Sequence, residues 1–243
     1  MRIFTFLLAL VFLALVFALP LAAREVDLEL VLLADASGSI DEGEIRFQRQ
    51  GYATAITDPG VIRAITSNLT GSIAVTYVEW ASNQATVVGW SIIDGPEAAQ
   101  AFADALIVPP RQAYGRNAIG AALLEGKRLI ETNGLTGLRQ VIDFSGDSAN
   151  NWSGPPIPEA RAEVLAAGIT INALPILRPD DPGRAHSGLE AAYERLIIGG
   201  PGAFVVTADS GESFAAAVRR KLILEIAGLT PEMPGAVAAL AVD

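Results

Sequence analysis

The sequence contains no cysteine and only one histidine, His186. The absence of thiols excludes a cysteine nucleophile, an iron–sulfur cluster and a cysteine-bound zinc site. A single histidine also excludes a metal site built from several histidines. Any bound metal must therefore be held mainly by oxygen atoms, which favours Mg²⁺, Ca²⁺ or Mn²⁺.

Charged residues are scarce, and those present are mainly acidic. They make up 18% of the 243 residues and give a formal net charge of −10. Such a surface repels nucleic acid and anionic lipid headgroups, and the sequence has no basic run that would reverse this. We therefore expect no nucleic-acid partner. Apolar residues make up 51% of the chain, enough for the core of one sizeable domain.

One long apolar run stands at the start of the chain. Residues 6–19 are all apolar, follow the positive charge of Arg2, and end at Pro20 before small residues. This pattern is typical of a secretory signal peptide, so we expect residues 1–23 to be removed. The alternative is an uncleaved membrane anchor, because the apolar stretch approaches the length of a membrane span. Both predict an exported domain, periplasmic or secreted, and only the second predicts attachment to a membrane.

Patterns typical of strands and helices alternate along the rest of the chain. Short runs rich in apolar and β-branched residues predict six strands, at residues 27–34, 72–80, 86–93, 138–145, 169–177 and 203–207. Apolar residues at helical spacing predict six helices, at residues 41–56, 96–108, 117–132, 158–167, 189–197 and 213–226.

This alternation predicts an α/β fold with a doubly wound, mostly parallel, six-stranded sheet and helices on both faces. The strand at 86–93 follows a short Asn83-Gln84 turn, so it is predicted to be an antiparallel edge strand. The sequence has no repeat or linker that would divide the mature chain. Residues 24–228 are therefore predicted to form one domain, followed by a loose tail at 229–243.

Oxygen-bearing side chains follow the predicted strands where a ligand of such a sheet would bind. Asp35, Ser37 and Ser39 directly follow the first strand. Asn117 lies at the entrance of the third helix, and Asp147 follows the fourth strand. Three loops thus bring two carboxylates, two hydroxyls and one amide oxygen to one end of the sheet. These donors suit a small divalent cation, so the sequence predicts bound Mg²⁺, with Mn²⁺ or Ca²⁺ as alternatives.

The loop Asp35-Ala36-Ser37-Gly38-Ser39 resembles the metal-ion-dependent adhesion site (MIDAS) of von Willebrand factor A (vWA) domains. In that family two serines bind the metal, and a threonine and an aspartate from two further loops complete the site. By this resemblance Asp147 is the third-loop aspartate, although Ser-Gly-Asp replaces the commoner Thr-Asp-Gly. Asn117 stands where the family has threonine.

The resemblance extends over about residues 26–228, and it is nearest to a group of exported bacterial proteins made of this domain alone. It implies the Rossmann-like vWA fold. It also implies an adhesion-type binding module whose metal accepts a carboxylate from a protein partner. Such a module is not an enzyme.

Three other interpretations of the same residues stay open. Asp35 and the two serines could cap the first helix without any metal, although a cap does not explain Asp147. A hydrolase could use the metal to activate water, and a scaffold could use it only to stabilise the loops. A hydrolase needs a general base or a nucleophile, yet the sequence has no G-x-S-x-G motif and no glycine-rich phosphate loop with a lysine. We therefore expect no enzyme activity.

Three further residues have functional side chains but no assigned role in the predicted site. Asp143 lies within a strand predicted to be buried, where a carboxylate needs a partner or a proton. We expect a structural hydrogen bond, with support of the metal site as the alternative. Trp152 either contacts a partner at the rim of the site or covers loop backbone. His186 is expected in an exposed loop.

Overall fold

The computed structural model describes residues 23–177, 188–207 and 214–233. The strands in these ranges are β1 (Glu25–Asp35), β2 (Ile73–Trp80), β3 (Gln84–Ile93), β4 (Thr136–Gly146) and β5 (Thr170–Pro175). The helices are α1 (Glu42–Ile56), α2 (Pro59–Thr66), α3 (Pro96–Ile107), α4 (Ile119–Glu131), α5 (Ile157–Ala166), α6 (Leu189–Leu196) and α7 (Phe214–Ala227). The predicted signal peptide, His186 and most of the predicted tail lie outside the described residues.

The strands form one mixed sheet in the order β3-β2-β1-β4-β5. β1 pairs in parallel with β2 and β4, and β5 pairs in parallel with β4. β3 lies at the edge and is antiparallel to β2. All residues of β2, and all of β1 after its first, are buried. Helices therefore cover both faces of the central strands.

Alternate side chains of β1 enter two separate cores, because successive residues of a strand point to opposite faces. Leu30 and Leu32 pack in one core with α1, α2, α3 and α7. Val31 and Leu33 pack in the other with α4, α5 and α6. The described part of the chain contains no helix long and apolar enough to cross a membrane.

The predicted sixth strand, residues 203–207, does not extend the sheet. It contributes one isolated parallel bridge, between Val205 and Ala173. The main-chain amide of Phe204 donates instead to the side chain of Asn172, at 3.1 Å. This side-chain bond takes a donor that a continuous ladder would need, so the sheet has five strands within the described residues.

Helix α2 was not predicted from the sequence. α2 begins at Pro59, and its N-cap Asp58 accepts a hydrogen bond from the Gly60 amide at 2.7 Å. Proline after an aspartate is a recognised start signal for a helix. The eight-residue length of α2 leaves little periodicity to support that signal.

Candidate metal centre

The candidate site lies where the chain leaves neighbouring strands in opposite directions. After β1 the chain crosses to β2 on one side, and after β4 it crosses to β5 on the other side. The loops after β1 and β4 therefore diverge and leave a crevice between them. Asp35 is the last residue of β1, and Asp147 directly follows β4.

Four of the five predicted site residues lie in mutual contact at this crevice. The hydroxyl oxygens of Ser37 and Ser39 are 3.2 Å apart, and the Ser39 hydroxyl donates to Asp147 Oδ1 at 3.4 Å. Asp35 Oδ1 accepts from the Ser37 amide at 2.8 Å, and Asp35 Oδ2 lies 3.5 Å from the Asp147 amide nitrogen. The first and third loops thus meet through their oxygen-bearing side chains.

Asn117, the fifth predicted residue, is connected to the other loops through the main chain. Its carbonyl accepts from the Trp152 amide at 2.9 Å, and nearby Gly115 accepts from the Gly38 amide at 2.7 Å. Asn117 is buried and precedes α4, which begins at Ile119. Its side-chain amide makes no hydrogen bond with any other described residue.

The electrostatics of the crevice suit a cation. Burial raises the pKa of Asp35 to about 7, and the negative charge of Asp147 adds to this effect. Burial, followed by the charges of Asp35 and Asp147, likewise raises the pKa of the Tyr193 hydroxyl. A divalent cation between the two carboxylates would offset their repulsion and the loss of water. Two carboxylates and two hydroxyls are a donor set that fits Mg²⁺.

Histidine, cysteine and acidic side chains would not be enough to hold a metal at this site. The described ranges hold no group of three or more of them that could bind a metal. A cation bound here would therefore need the neutral serine hydroxyls as further oxygen donors. A cation bound here would keep a larger share of its charge than in a site with three carboxylates.

Arg111 supports the first loop and was not identified from the sequence. Its guanidinium donates to the carbonyls of Ile40 at 2.8 Å and Ser37 at 3.0 Å, and also to that of Ala36. It thus binds three main-chain carbonyls of the loop that presents the serines. Arg111 lies in an irregular segment without periodicity, so the sequence offers no signal for this role.

A buried ion pair holds that irregular segment in place. Arg49 of α1 and Glu79 of β2 are buried and 2.6 Å apart. Arg49 also donates to the Pro110 carbonyl at 3.1 Å, while Glu79 Oε2 accepts from the Gln112 amide at 2.7 Å. These bonds fix the main chain on both sides of Arg111. The sequence signal for this ion pair was Glu79, an acidic residue in the mostly apolar end of β2. Asp143 gave a similar signal in β4.

Asp143 pairs with a residue of helix α7 rather than with the loops of the candidate site. The Lys221 ammonium of α7 lies 2.7 Å from Asp143 Oδ1 and also pairs with Glu225. Glu225 accepts a further hydrogen bond from Asn172 at 2.9 Å. All four side chains are buried, so Asp143 belongs to a charged cluster between the sheet and α7.

Trp152 does not cover the loop with its side chain. The indole is 64% exposed, although its main-chain amide is bound by Asn117. The guanidinium of Arg116 lies 5.8 Å from the centre of the indole ring. An exposed aromatic and an arginine therefore flank the site on its second and third loops.

Solved structures with the same fold include several vWA domains. Proximal thread matrix protein 1 (PTMP1) from the mussel byssus, with a zinc-occupied MIDAS motif, aligns over 84% of this chain and 49% of its own, with TM-score 0.59 and 17% identity. The pilus adhesin SpaC from Lactobacillus rhamnosus GG aligns over 84% of this chain and 30% of its own, with TM-score 0.55 and 18% identity. This chain thus spans half or less of both proteins.

The vWF domain of the type V pili tip protein Mfa5 from Porphyromonas gingivalis is matched over nearly its full length. The alignment covers 87% of this chain and 99% of that domain, with TM-score 0.53 and 11% identity. These likenesses show that the chain has the vWA fold. No curated protein matches the sequence. A family model does match residues 25–230, and the chain belongs to that family, "Protein of unknown function (DUF1194)".

Proposed function

We propose that this chain is an exported, metal-dependent protein-binding module of the adhesion type, and not an enzyme. The observation that supports this most directly is the contact between the oxygen-bearing side chains of the first and third loops at the sheet's switch point. The proposed metal ligands, some of them acting through water, are Asp35, Ser37, Ser39, Asn117 and Asp147.

The chain's own residues determine how such a site recognises a partner. A divalent cation held there supplies positive charge and an open coordination position for a partner's oxygen. Among the described residues, Asp35 and Asp147 are the carboxylates proposed to face that charge, while the serines and Asn117 contribute neutral oxygens. A carboxylate from the partner is then the favoured ligand, because a charge-assisted contact is strong and selective. It also offsets the repulsion between this acidic chain and an acidic partner.

The solved structures support the same proposal. SpaC is a pilus adhesin, Mfa5 is a pili tip protein, and PTMP1 carries zinc in its MIDAS motif. These names describe a pilus adhesin, a pilus tip protein and a matrix protein, which favours a binding role at the cell surface or outside the cell. Together with the signal peptide predicted at residues 1–23, they support export of the domain and a divalent metal.

Hydrolysis by the same metal site is the alternative. It would need a general base beside the metal, and both nearby carboxylates are already ligands in the proposed site. The single histidine, His186, lies outside the described residues. A screen of ester and phosphate substrates with Mg²⁺ and Mn²⁺ separates the two functions. Turnover that is lost in Asp147→Asn would replace the binding module by a hydrolase.

Titration calorimetry and thermal melting of the exported chain test the metal site. We expect one Mg²⁺ or Mn²⁺ per chain and a higher melting temperature with metal. Ser39→Ala and Asp147→Asn should each remove most of this binding, because the first deletes a hydroxyl oxygen and the second removes a carboxylate charge, both at partly exposed positions. Asp104→Asn, an exposed acid on α3, is the matched control and should bind as wild type does. Equal metal binding by all four proteins would refute the assignment.

A further inference from the structure

Two exposed side chains border the candidate site and lie against each other. Arg116 directly precedes Asn117 in the second loop, and Trp152 follows Asp147 in the third loop. The Arg116 guanidinium is 5.8 Å from the centre of the Trp152 ring, within range of a cation–π contact. We call this pair the Arg116–Trp152 rim.

The main chain beneath the rim is held by hydrogen bonds. The Arg116 amide donates to the Ser82 hydroxyl at 2.8 Å, and that hydroxyl donates back to the Arg116 carbonyl at 3.1 Å. The Trp152 amide donates to the Asn117 carbonyl at 2.9 Å. The main chain of the rim is thus already ordered, so a partner that contacts it causes little further loss of conformational entropy there.

The charge of Arg116 is available to a partner. Arg116 is exposed and forms no ion pair with any residue in the described ranges. The guanidinium of Arg111, by contrast, is bonded to loop carbonyls. On a chain whose formal net charge is −10, an exposed arginine beside the site gives this end of the molecule a local attraction for acidic groups.

An apolar surface continues from the rim. Trp152 borders an open cavity of about 510 Å³, whose wall combines the apolar Pro156, Ile157 and Leu196 with the polar Asn150, Asn151 and Ser153. Tryptophan and arginine are among the side chains that most often supply binding energy at protein interfaces. The rim and this cavity thus offer a cation and an apolar surface side by side.

We infer that the partner docks through an acidic segment that carries two carboxylates and an apolar side chain. One carboxylate binds at the metal site, the second pairs with Arg116, and the apolar side chain packs on Trp152. The inference rests on the proposed function for the first carboxylate only. It explains how a strongly acidic chain selects an acidic partner, and it makes Arg116 and Trp152 determinants of specificity.

Short fluorescent peptides measure this preference directly. One Gly/Ser peptide carries a single glutamate, and the others carry two glutamates one to three residues apart, with or without a leucine between them. In Mg²⁺, anisotropy should show the best two-glutamate peptide with leucine binding about tenfold more tightly than the single-glutamate peptide. Arg116→Gln should remove the preference for the second glutamate, and Trp152→Ala should remove the preference for leucine. Arg128→Gln on α4 changes the net charge equally and should leave both preferences intact.

The outcomes separate this inference from the proposed function. Metal-dependent binding of all the peptides with no effect of Arg116→Gln would overturn the rim and leave the metal site standing. A preference for two glutamates that needs Arg116 but persists in EDTA would support the rim and refute the metal-dependent function. Failure of every peptide to bind at millimolar concentration would refute both. Melting curves of Arg116→Gln and Trp152→Ala verify that these exposed substitutions leave the fold intact.

Discussion

Gly146, at the end of β4, has no space for a side chain. A Cβ atom there would lie 2.9 Å from Asp35 Oδ2, 2.9 Å from Trp80 Cζ2 and 3.0 Å from the Tyr193 hydroxyl. All three neighbours are buried, so none can move away freely. This crowding gives a physical reason for glycine between Ser145 and Asp147, where vWA domains more commonly have Thr-Asp-Gly.

Gly146→Ala should therefore disturb the fold and the site together. We expect the free energy of unfolding to fall by about 1–3 kcal/mol, the usual cost of overpacking a buried position. Mg²⁺ affinity should also fall, because the new methyl group displaces the Asp35 carboxylate. Urea unfolding and calorimetry measure the two effects.

The control is Gly89→Ala in β3, where an added Cβ would meet no atom within 4 Å. It should leave metal affinity unchanged. If Gly146→Ala binds Mg²⁺ as tightly as Gly89→Ala does, Asp35 does not contribute to the site.

At the scale of elements, the first loop is held at both ends. Asp41 caps α1, and a capping box with Glu44 fixes where the helix starts, with bonds of 2.8 and 2.7 Å. Gln48 of α1 donates to the Asp35 carbonyl at 3.1 Å. Arg111 binds the carbonyls between these points. The serines thus lie on a loop whose conformation depends on Arg111, which is far away in the sequence.

Replacing Arg111 should weaken metal binding more than it weakens the fold. Arg111→Met removes every donor to the loop carbonyls, so we expect Mg²⁺ affinity to fall by at least about tenfold. Arg111→Lys should recover only part of the loss, because a compact ammonium cannot reproduce the planar fork of guanidinium donors. Calorimetry of both variants beside Arg128→Met, an exposed arginine on α4, measures the effect. Full recovery by lysine would show that charge alone, and not this geometry, supports the loop.

At the scale of the whole molecule, a charged cluster joins the C-terminal helix to the sheet. Asp143 and Glu225 share the single ammonium of Lys221. Burial raises the pKa of Glu225 to about 7, Lys221 opposes this rise, and the charge of Asp143 adds to it. Burial also raises the pKa of Asp143. Two carboxylates and one ammonium leave an uncompensated negative charge at high pH, which a proton removes at lower pH.

This cluster predicts that stability falls as pH rises from about 4.5 to above 7. Between pH 4.5 and about 7 the native state holds a proton on Glu225, whereas the unfolded chain releases it near the ordinary pKa of 4.5. The native state therefore binds more protons, and the free energy of unfolding decreases with pH. Glu225→Gln, which keeps an oxygen for Asn172, should be relatively more stable by about 2 kcal/mol at pH 8 than at pH 5.

Urea unfolding of wild type and Glu225→Gln at pH 5, 6, 7 and 8 measures this change. The difference between the two proteins is the relevant quantity, because Asp35 also has a pKa raised to about 7 and contributes equally to both. A difference that stays constant with pH would show that Glu225 is ionised throughout.

Most elements and the two aspartate-bearing loops could be predicted from the sequence, because their signals are local. Strands buried on both faces read as apolar runs, as in β1 and β2, and helix starts carry their own capping residues, as at Asp41. Parallel strands also align their carboxyl ends, so residues far apart in sequence, such as Asp35 and Asp147, could be expected to meet.

Only the tertiary structure decided how those loops are supported and where the sheet ends. Arg111 and Asp143 depend on partners between 70 and 80 residues away, and a pattern of neighbouring residues cannot specify such pairs. The sixth strand was predicted from local β-propensity, yet the Asn172 side chain takes the Phe204 amide that the ladder would need. Local sequence thus determined the elements and the type of chemistry. Long-range polar contacts, whose partners are selected by packing, decided the geometry of the site and the number of strands.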